Sequence, residues 1–148
     1  MRIFLDANIL FSAAKSAGAV QQLLRNLMAD GHHLVADDYV VTEAKRNIAA
    51  KAGLQALRDL DELLAHVTVG KLQMGAVPTG MSDWLPEKDR PVLQAAIAAG
   101  CDVLVTGDRT HFGEGYGKNY GGVTVYSPAL LALTLQMGSG QSAYPSPD

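Results

Sequence analysis

Residues 103–113, "VLVTGDRTHFG", combine a strand pattern with an abrupt change to polar residues. The stretch begins as an apolar run of strand formers, Val103 to Val105, and then turns polar within two residues. Asp108 follows the strand beside a glycine, and both residue types are common in turns. Taken alone, the pattern indicates only a strand end. Whether Asp108 does more depends on where the other carboxylates of the chain fall.

The composition is typical of one folded domain. Hydrophobic residues make up 48% of the 148 residues, which is enough for the core of a domain of ordinary size. The formal net charge of -3 excludes nucleic-acid binding through bulk positive charge, but it leaves room for a local basic groove. The single cysteine, Cys101, has no intramolecular disulfide partner and is expected to be a buried thiol.

No targeting or membrane-spanning pattern is found. The chain opens directly into "MRIFLD" without a cleavable signal pattern. Its longest apolar runs fall well short of the roughly 18 residues that a spanning helix needs. We therefore expect a cytoplasmic protein that does not enter a membrane.

Short apolar runs alternate with amphipathic helical patterns along the chain. The five predicted strands are "RIFLD" (2–6), "HHLVA" (32–36), "HVTVG" (66–70), "DVLVT" (102–106) and "VTVY" (123–126). A Gly/Ala/Ser connection follows the first strand. The predicted helices cover about residues 20–28, 39–51, 57–64, 88–99 and 128–137. The alternation predicts an α/β fold with a central parallel sheet of about five strands and helices on both faces.

Three stretches are expected to lie outside these elements. Residues 75–87, "GAVPTGMSDWLPE", have the composition of a loop, and the glycine-rich residues 113–122 are expected to form a flexible loop. The tail at 138–148 contains no core residues and is expected to be disordered. The sequence thus predicts one domain over residues 1–137 followed by this tail.

Four acidic residues lie at positions that suit a shared site. Asp6 ends the first predicted strand as Asp108 ends the fourth, and ligands of parallel α/β sheets bind outside such strand ends. Glu43 has apolar neighbours that place it near the buried face of its helix, although a solvated glutamate paired with a nearby cation is the alternative. Asp89 precedes a helix with Pro91 in its first turn, so helix capping would explain it equally well.

Several carboxylates in one cleft stay ionised only with a cation among them, because like charges raise one another's pKa values. An oxygen-only cluster favours Mg²⁺ or Mn²⁺ over zinc. Either metal can polarise a phosphoryl oxygen and lower the pKa of an attacking water.

Four motifs in this order resemble the PIN-domain ribonucleases, especially the small stand-alone bacterial proteins that are toxins of toxin–antitoxin pairs. The motifs are "FLDANIL" (4–10), "VVTEAKRN" (40–47), "KDRPVLQAA" (88–96) and "LVTGDRTHF" (104–112), and the resemblance covers about residues 1–135. It implies a sheet ordered 3-2-1-4-5 and Mg²⁺- or Mn²⁺-dependent cleavage of single-stranded RNA. It also implies a cognate antitoxin protein as a partner, and it suggests a homodimer.

The resemblance carries over to individual residues. Asp6, Glu43, Asp89 and Asp108 match the acidic, metal-binding and catalytic set of the family. Asp6 and Asp108 would hold the main metal with Asp89 completing its shell, and Glu43 would bind a second metal or a metal-bound water. Whether one or two ions bind stays open.

Polar residues near the acids have accessory roles by the same resemblance. Asn8 and Thr106 match positions that orient the acids, although Asn8 could equally make the turn after the first strand and Thr106 could be an ordinary strand residue. His111 lies three residues after Asp108 and would contact phosphate or substrate, or else cap its loop.

Basic residues beside the motifs are candidates for binding the phosphates of the substrate, and the alternative for each is a solvated surface charge. They are Lys45, Arg46, Arg90, Arg109 and Lys118.

Other functions are less well supported by the sequence. A PIN-like module that binds RNA or protein without cleavage is the main alternative, and the complete acidic set argues against it. A receiver-like or phosphatase-like domain would need an acidic pair around the first strand, which the chain lacks. A nucleotide-binding dehydrogenase would need a glycine-rich turn after that strand. Two features have no clear counterpart in the family, namely the long glycine-rich stretch and the tail.

Overall fold

The computed structural model describes residues 1–71 and 80–138. The described chain forms a six-stranded sheet in the order β3-β2-β1-β4-β6-β5. The strands are β1 (Arg2–Leu5), β2 (His33–Asp37), β3 (Thr68–Gly70), β4 (Val103–Val105), β5 (Asn119–Tyr120) and β6 (Val123–Tyr126). All neighbouring strands pair in parallel except β5 and β6. The predicted parallel order is therefore confirmed, with β6 as the predicted fifth strand.

Seven helices connect and flank the strands within the described residues. They are α1 (Ala7–Lys15), α2 (Ala19–Ala29), α3 (Asp38–Lys51), α4 (Leu54–Leu64), α5 (Arg90–Ala98), α6 (Arg109–Phe112) and α7 (Pro128–Gly138). A 3-10 helix at Glu87–Asp89 precedes α5, and another at Gly113–Gly115 follows α6. None of these helices is long and apolar enough to cross a membrane.

Helix α1 occupies most of the segment that the sequence indicated as a connection. Its N-cap is Asp6, whose side chain accepts a hydrogen bond from the backbone N–H of Ala7. The helix buries Ile9, Leu10 and its alanines, and it packs against α2, α3 and α4. A residue expected only to end a strand thus also starts a helix.

The glycine-rich residues 113–122 were expected to form a flexible loop, and this expectation is wrong. Asn119–Tyr120 forms the edge strand β5, which pairs antiparallel with β6 across the two residues Gly121 and Gly122. Their φ angles are 60° and 95°. A two-residue hairpin turn that needs positive φ at both central positions favours two glycines. Gly121 and Gly122 therefore form the turn of this hairpin.

The two central strands are apolar on both faces and buried, except for the exposed Arg2 at the start of β1. Ile3, Phe4 and Leu5 of β1 are at most 1% exposed, and the three residues of β4 are at most 3% exposed. Since successive side chains of a strand point to opposite faces, both faces of the sheet are covered here. Leu5 pairs with Val105, so the residues that follow, Asp6 and Thr106, emerge side by side at one edge of the core.

Two of the predicted segments fall partly outside the described residues. The predicted loop at 75–87 is described from residue 80 onward, and of the tail at 138–148 only residue 138 is described. The division into a domain at 1–137 and a disordered tail stays a prediction.

The glycine-rich stretch packs against the only tryptophan of the sequence. Trp84 stacks on Tyr120, with the ring centroids 4.8 Å apart, and meets Phe112 edge-on at 6.1 Å. A Cβ atom added to Gly115 would lie within 3 Å of the indole ring, which these aromatic neighbours hold in place.

We therefore expect Gly115→Ala to lower the free energy of unfolding by about 1–3 kcal/mol, the usual cost of overpacking. Urea denaturation followed by Trp84 fluorescence measures this change. Gly70→Ala is the matched control, because nothing lies within 4 Å of its added Cβ, and it should change the stability by less than about 0.5 kcal/mol. Equal stabilities of the two variants would contradict this description of the packing.

Candidate active site

A buried carboxylate lies where β1 ends. Asp6 is 6% exposed and caps α1, with its Oδ1 accepting from the backbone N–H of Ala7 at 2.7 Å. Its Oδ2 accepts from the hydroxyl of Thr106 at 2.8 Å and from the amide Nδ2 of Asn8 at 3.2 Å. These bonds fix the orientation of the carboxylate in the interior, where a charged group is costly unless it is hydrogen-bonded.

Asn8 and Thr106 join the ends of the two central strands. The Oδ1 of Asn8 accepts from the backbone N–H of Gly107 at 2.7 Å. The hydroxyl of Thr106 accepts from the backbone N–H of Asp108 at 3.2 Å. One hydroxyl thus contacts both Asp6 and the backbone of Asp108. The two polar residues that the resemblance named as accessory lie between the acids of β1 and β4.

The acids that follow β4 and precede α5 come together around His111. Asp108 caps α6 through its Oδ1, which accepts from the backbone N–H of His111 at 3.2 Å, and its Oδ2 lies 2.8 Å from the ring Nδ1 of that residue. The same Nδ1 lies 3.1 Å from Oδ2 of Asp89. In the described part of the chain, these three residues are the one group of three side chains close enough to share a metal ion.

Helix capping does not account for Asp89. It occupies the N-cap position of α5, but its side chain makes no capping hydrogen bond. Its Oδ2 is buried and has no hydrogen-bond partner, although the ring Nδ1 of His111 lies 3.1 Å away. An orphaned buried carboxylate oxygen is a costly feature that calls for a further ligand.

Burial, and to a smaller extent neighbouring acids, raises the pKa values of Asp6 and Asp89. Burial raises the pKa of Asp6 to about 6, the charges of Glu43 and Asp89 add to this rise, and the hydrogen bonds from Thr106 and Ala7 oppose it. Burial also raises the pKa of Asp89, with the charge of Asp108 adding and those of His111 and Lys88 opposing. A cation among these groups would relieve both effects.

The side chains at this edge fit a divalent metal ion. The orphaned oxygen of Asp89 and the clustered carboxylates are ligands that such ions prefer. The sequence indicated a cluster of oxygen ligands alone. In the structure, the imidazole of His111 also belongs to the cluster.

Glu43 lies at the edge of the site. The sequence placed it near the buried face of α3, but it is exposed, and Val40, Ala44 and Ile48 fill the buried face. Its charge still contributes to the raised pKa of Asp6.

An open cleft of about 360 Å³ runs beside Glu43 along α3, lined by Asp38, Tyr39, Thr42, Glu43 and Arg46. The hydroxyl of Tyr39 donates to the backbone oxygen of Lys88 at 3.0 Å, next to Asp89. The sequence favoured a core or lid position for Tyr39 and did not indicate Thr42 as a site residue. Their spacing could have indicated them, because residues 39, 42, 43 and 46 share one face of a helix.

The basic residues predicted to bind phosphate have different environments. Arg46 is exposed and lines the cleft. Lys45, Arg109 and Lys118 are exposed as well. The guanidinium of Arg90 instead donates to the backbone oxygens of Leu85 and Asp83, at 2.9 and 3.3 Å, so it holds the segment before α5.

The raised pKa of Asp6 makes the stability of the metal-free protein depend on pH. Because the pKa in the folded state lies above the ordinary 3.8, folding takes up a proton between pH 3.8 and about 6. The free energy of unfolding contributed by Asp6 is therefore present at low pH and is lost as the pH rises through 6.

We expect the stability of the metal-free wild type to fall as the pH rises from 3.8 through about 6, because the buried Asp6 then ionises. In Asp6→Asn this contribution should be absent, because the amide is never ionised. Thermal unfolding of both proteins across this pH range, in the presence of a chelator, measures the difference. Asp61→Asn, an exposed change on α4, is the control and should behave like wild type. The same pH dependence of stability in wild type and Asp6→Asn would contradict the electrostatic description.

Comparisons with known proteins agree with this fold. Three solved structures resemble the chain, each over 98% of its own length. The structure of VapBC2 from Rickettsia felis bound to a DNA fragment from their promoter shares 18% identity and covers 86% of this chain, with a TM-score of 0.63. VapC20 from Mycobacterium tuberculosis, a Sarcin-Ricin loop cleaving toxin, shares 12% identity and covers 80%, with a TM-score of 0.56. FitAcB from Neisseria gonorrhoeae shares 16% identity and covers 86%, with a TM-score of 0.55.

No match was found among curated protein sequences. The model of the PIN domain family, however, matches residues 2–110 of the 148 residues, which is more than half of the chain. This protein belongs to the PIN domain family.

Proposed function

We propose that this protein is a metal-dependent endoribonuclease that hydrolyses phosphodiester bonds of single-stranded RNA, and that it is the toxin of a toxin–antitoxin pair. The observation that carries the proposal is the buried carboxylate of Asp6, hydrogen-bonded through Thr106 to the strand end that bears Asp108. The family and its acidic motifs support the same function.

Three acids would hold the metal ion. Oδ2 of Asp108 lies 2.8 Å from the Nδ1 of His111, and Oδ2 of Asp89 lies 3.1 Å from the same nitrogen. Asp6 lies at the end of the neighbouring strand. When bound there, Mg²⁺ or Mn²⁺ supplies Lewis-acid polarisation of the scissile phosphate and a lowered pKa for the attacking water.

The remaining residues position the reacting groups. Asn8 and Thr106 keep the carboxylate of Asp6 in one orientation, so its charge is in place before substrate arrives. Arg46 on the cleft provides a positive charge for a phosphate of the RNA strand, and Arg109 offers another at the start of α6. Glu43, exposed beside Arg46 in the same cleft, would bind a second ion or a metal-bound water.

Partners follow from the same proposal. The Rickettsia felis neighbour is VapBC2 bound to a DNA fragment from their promoter, and the Mycobacterium tuberculosis neighbour is a Sarcin-Ricin loop cleaving toxin. We propose an antitoxin protein and a second copy of this chain as partners, with RNA as the substrate and the cytoplasm as the place of action.

We expect the purified protein to cleave single-stranded RNA in the presence of Mn²⁺ or Mg²⁺ and to stop when a chelator is added. Asp108→Asn should lower the rate by about 100-fold or more, because it removes a charged metal ligand while an amide oxygen can still cap α6. Gel analysis of a panel of single-stranded and structured RNAs measures cleavage.

Asp61→Asn is the matched control, since it makes the same chemical change on an exposed site of α4. It should cleave like wild type. Equal cleavage by Asp108→Asn would show that the activity comes from elsewhere. Metal binding by wild type without cleavage of any RNA would favour the alternative, a non-cleaving module that binds RNA or protein.

A further inference from the structure

The imidazole of His111 lies among the carboxylates of the candidate site. Its Nδ1 lies 2.8 Å from Oδ2 of Asp108 and 3.1 Å from Oδ2 of Asp89. The two acids belong to different segments, one before α5 and one at the start of α6. A single nitrogen atom therefore lies between two carboxylates that the fold brings together.

Capping of α6 does not account for this placement, and the hydrogen bond between Nδ1 and Oδ2 of Asp108, at 2.8 Å, leaves the nearby Oδ2 of Asp89 without a partner. The capping of α6 needs only the backbone N–H of His111, which Oδ1 of Asp108 already accepts. Phe112, the next residue, supplies the apolar contact of the turn and is fully buried. Oδ2 of Asp89 has no hydrogen bond although Nδ1 is near, so the ring does not satisfy that oxygen.

The spacing of the three atoms suits a coordination shell. Neighbouring ligands of an octahedral ion with bonds of about 2.1 Å lie about 3 Å apart. The two distances measured from Nδ1, 2.8 and 3.1 Å, agree with this spacing. The three side chains are partly exposed, so an ion can reach them from solvent.

We propose that His111 is a nitrogen ligand of the metal centre and that the site consequently selects a transition-metal dication such as Mn²⁺ over Mg²⁺. The inference rests on the proposed metal-dependent function and names which ion that site prefers. Mg²⁺ binds proteins through oxygen ligands and keeps its waters, whereas imidazole is a good ligand for first-row transition metals. One imidazole among carboxylates therefore discriminates against Mg²⁺ without excluding it.

The experiment uses the full chain, stripped of metal and then loaded with Mn²⁺. Pulsed electron paramagnetic resonance detects a directly bound nitrogen as ¹⁴N modulation of the Mn²⁺ signal. Wild type should show this modulation, and His111→Asn should lose it. The side-chain amide of asparagine lies at about the position of Nδ1. The variant therefore keeps a polar group at this position but loses the imidazole.

His33→Asn is the matched control, because His33 is exposed at the start of β2, at the opposite end of the strands. It should keep the modulation. By calorimetry, the Kd for Mn²⁺ should rise about tenfold or more in His111→Asn. The Kd for Mg²⁺ should change by less than about threefold, since an oxygen ligand remains. Circular dichroism verifies that both variants are folded.

The outcomes separate this inference from the proposed function. Mn²⁺ binding by wild type without ¹⁴N modulation would leave the metal site standing and overturn the role of His111. Modulation that persists in His111→Asn would overturn it equally. If wild type bound neither Mn²⁺ nor Mg²⁺, the proposed function itself would fail, and this inference with it.

Discussion

The hydrogen bond from the hydroxyl of Thr106 to the carboxylate of Asp6 is the contact on which the site depends. It exists because β1 and β4 pair in parallel with Leu5 opposite Val105, so that the next residue of each strand emerges at the same edge. The same hydroxyl accepts the backbone N–H of Asp108. A shift of one residue in this register would move Asp6 to the other face of the sheet. The register of two buried strands therefore determines which acids meet.

Much of this arrangement could be predicted from the sequence, because it follows from pattern and topology. Two buried runs that each end in polar residues predict strand ends at one edge of a parallel sheet, and this places Asp6 near Asp108. The order of the five parallel strands was predicted from the resemblance and is confirmed. Helix α1 was missed because Asp6 both ends a strand and caps a helix. The glycine-rich composition predicts a flexible loop in place of the hairpin β5–β6, although Gly121 and Gly122 supply the positive φ angles that its turn requires.

The details of the site could not be predicted, because they depend on how side chains are packed around it. Asp89 lies at the end of a 3-10 helix, which hydrophobic periodicity does not predict. Which atoms lie between the acids depends on the rotamer of His111. Glu43 has apolar neighbours in sequence but lies beside them on the exposed side of α3. The burial that raises the pKa of Asp6 to about 6 is likewise a property of the folded chain. Holding such a group in the core costs stability, and the metal-dependent function that we propose would account for its presence.

Anomalous diffraction from a crystal soaked in Mn²⁺ would locate the ion without reference to activity. We expect an anomalous peak within bonding distance of Asp89 and Asp108, at the strand ends where Asp6 is buried. A fully loaded crystal with no peak at this edge of the sheet, or with its ion bound elsewhere, would contradict the claim that these acids form a metal centre.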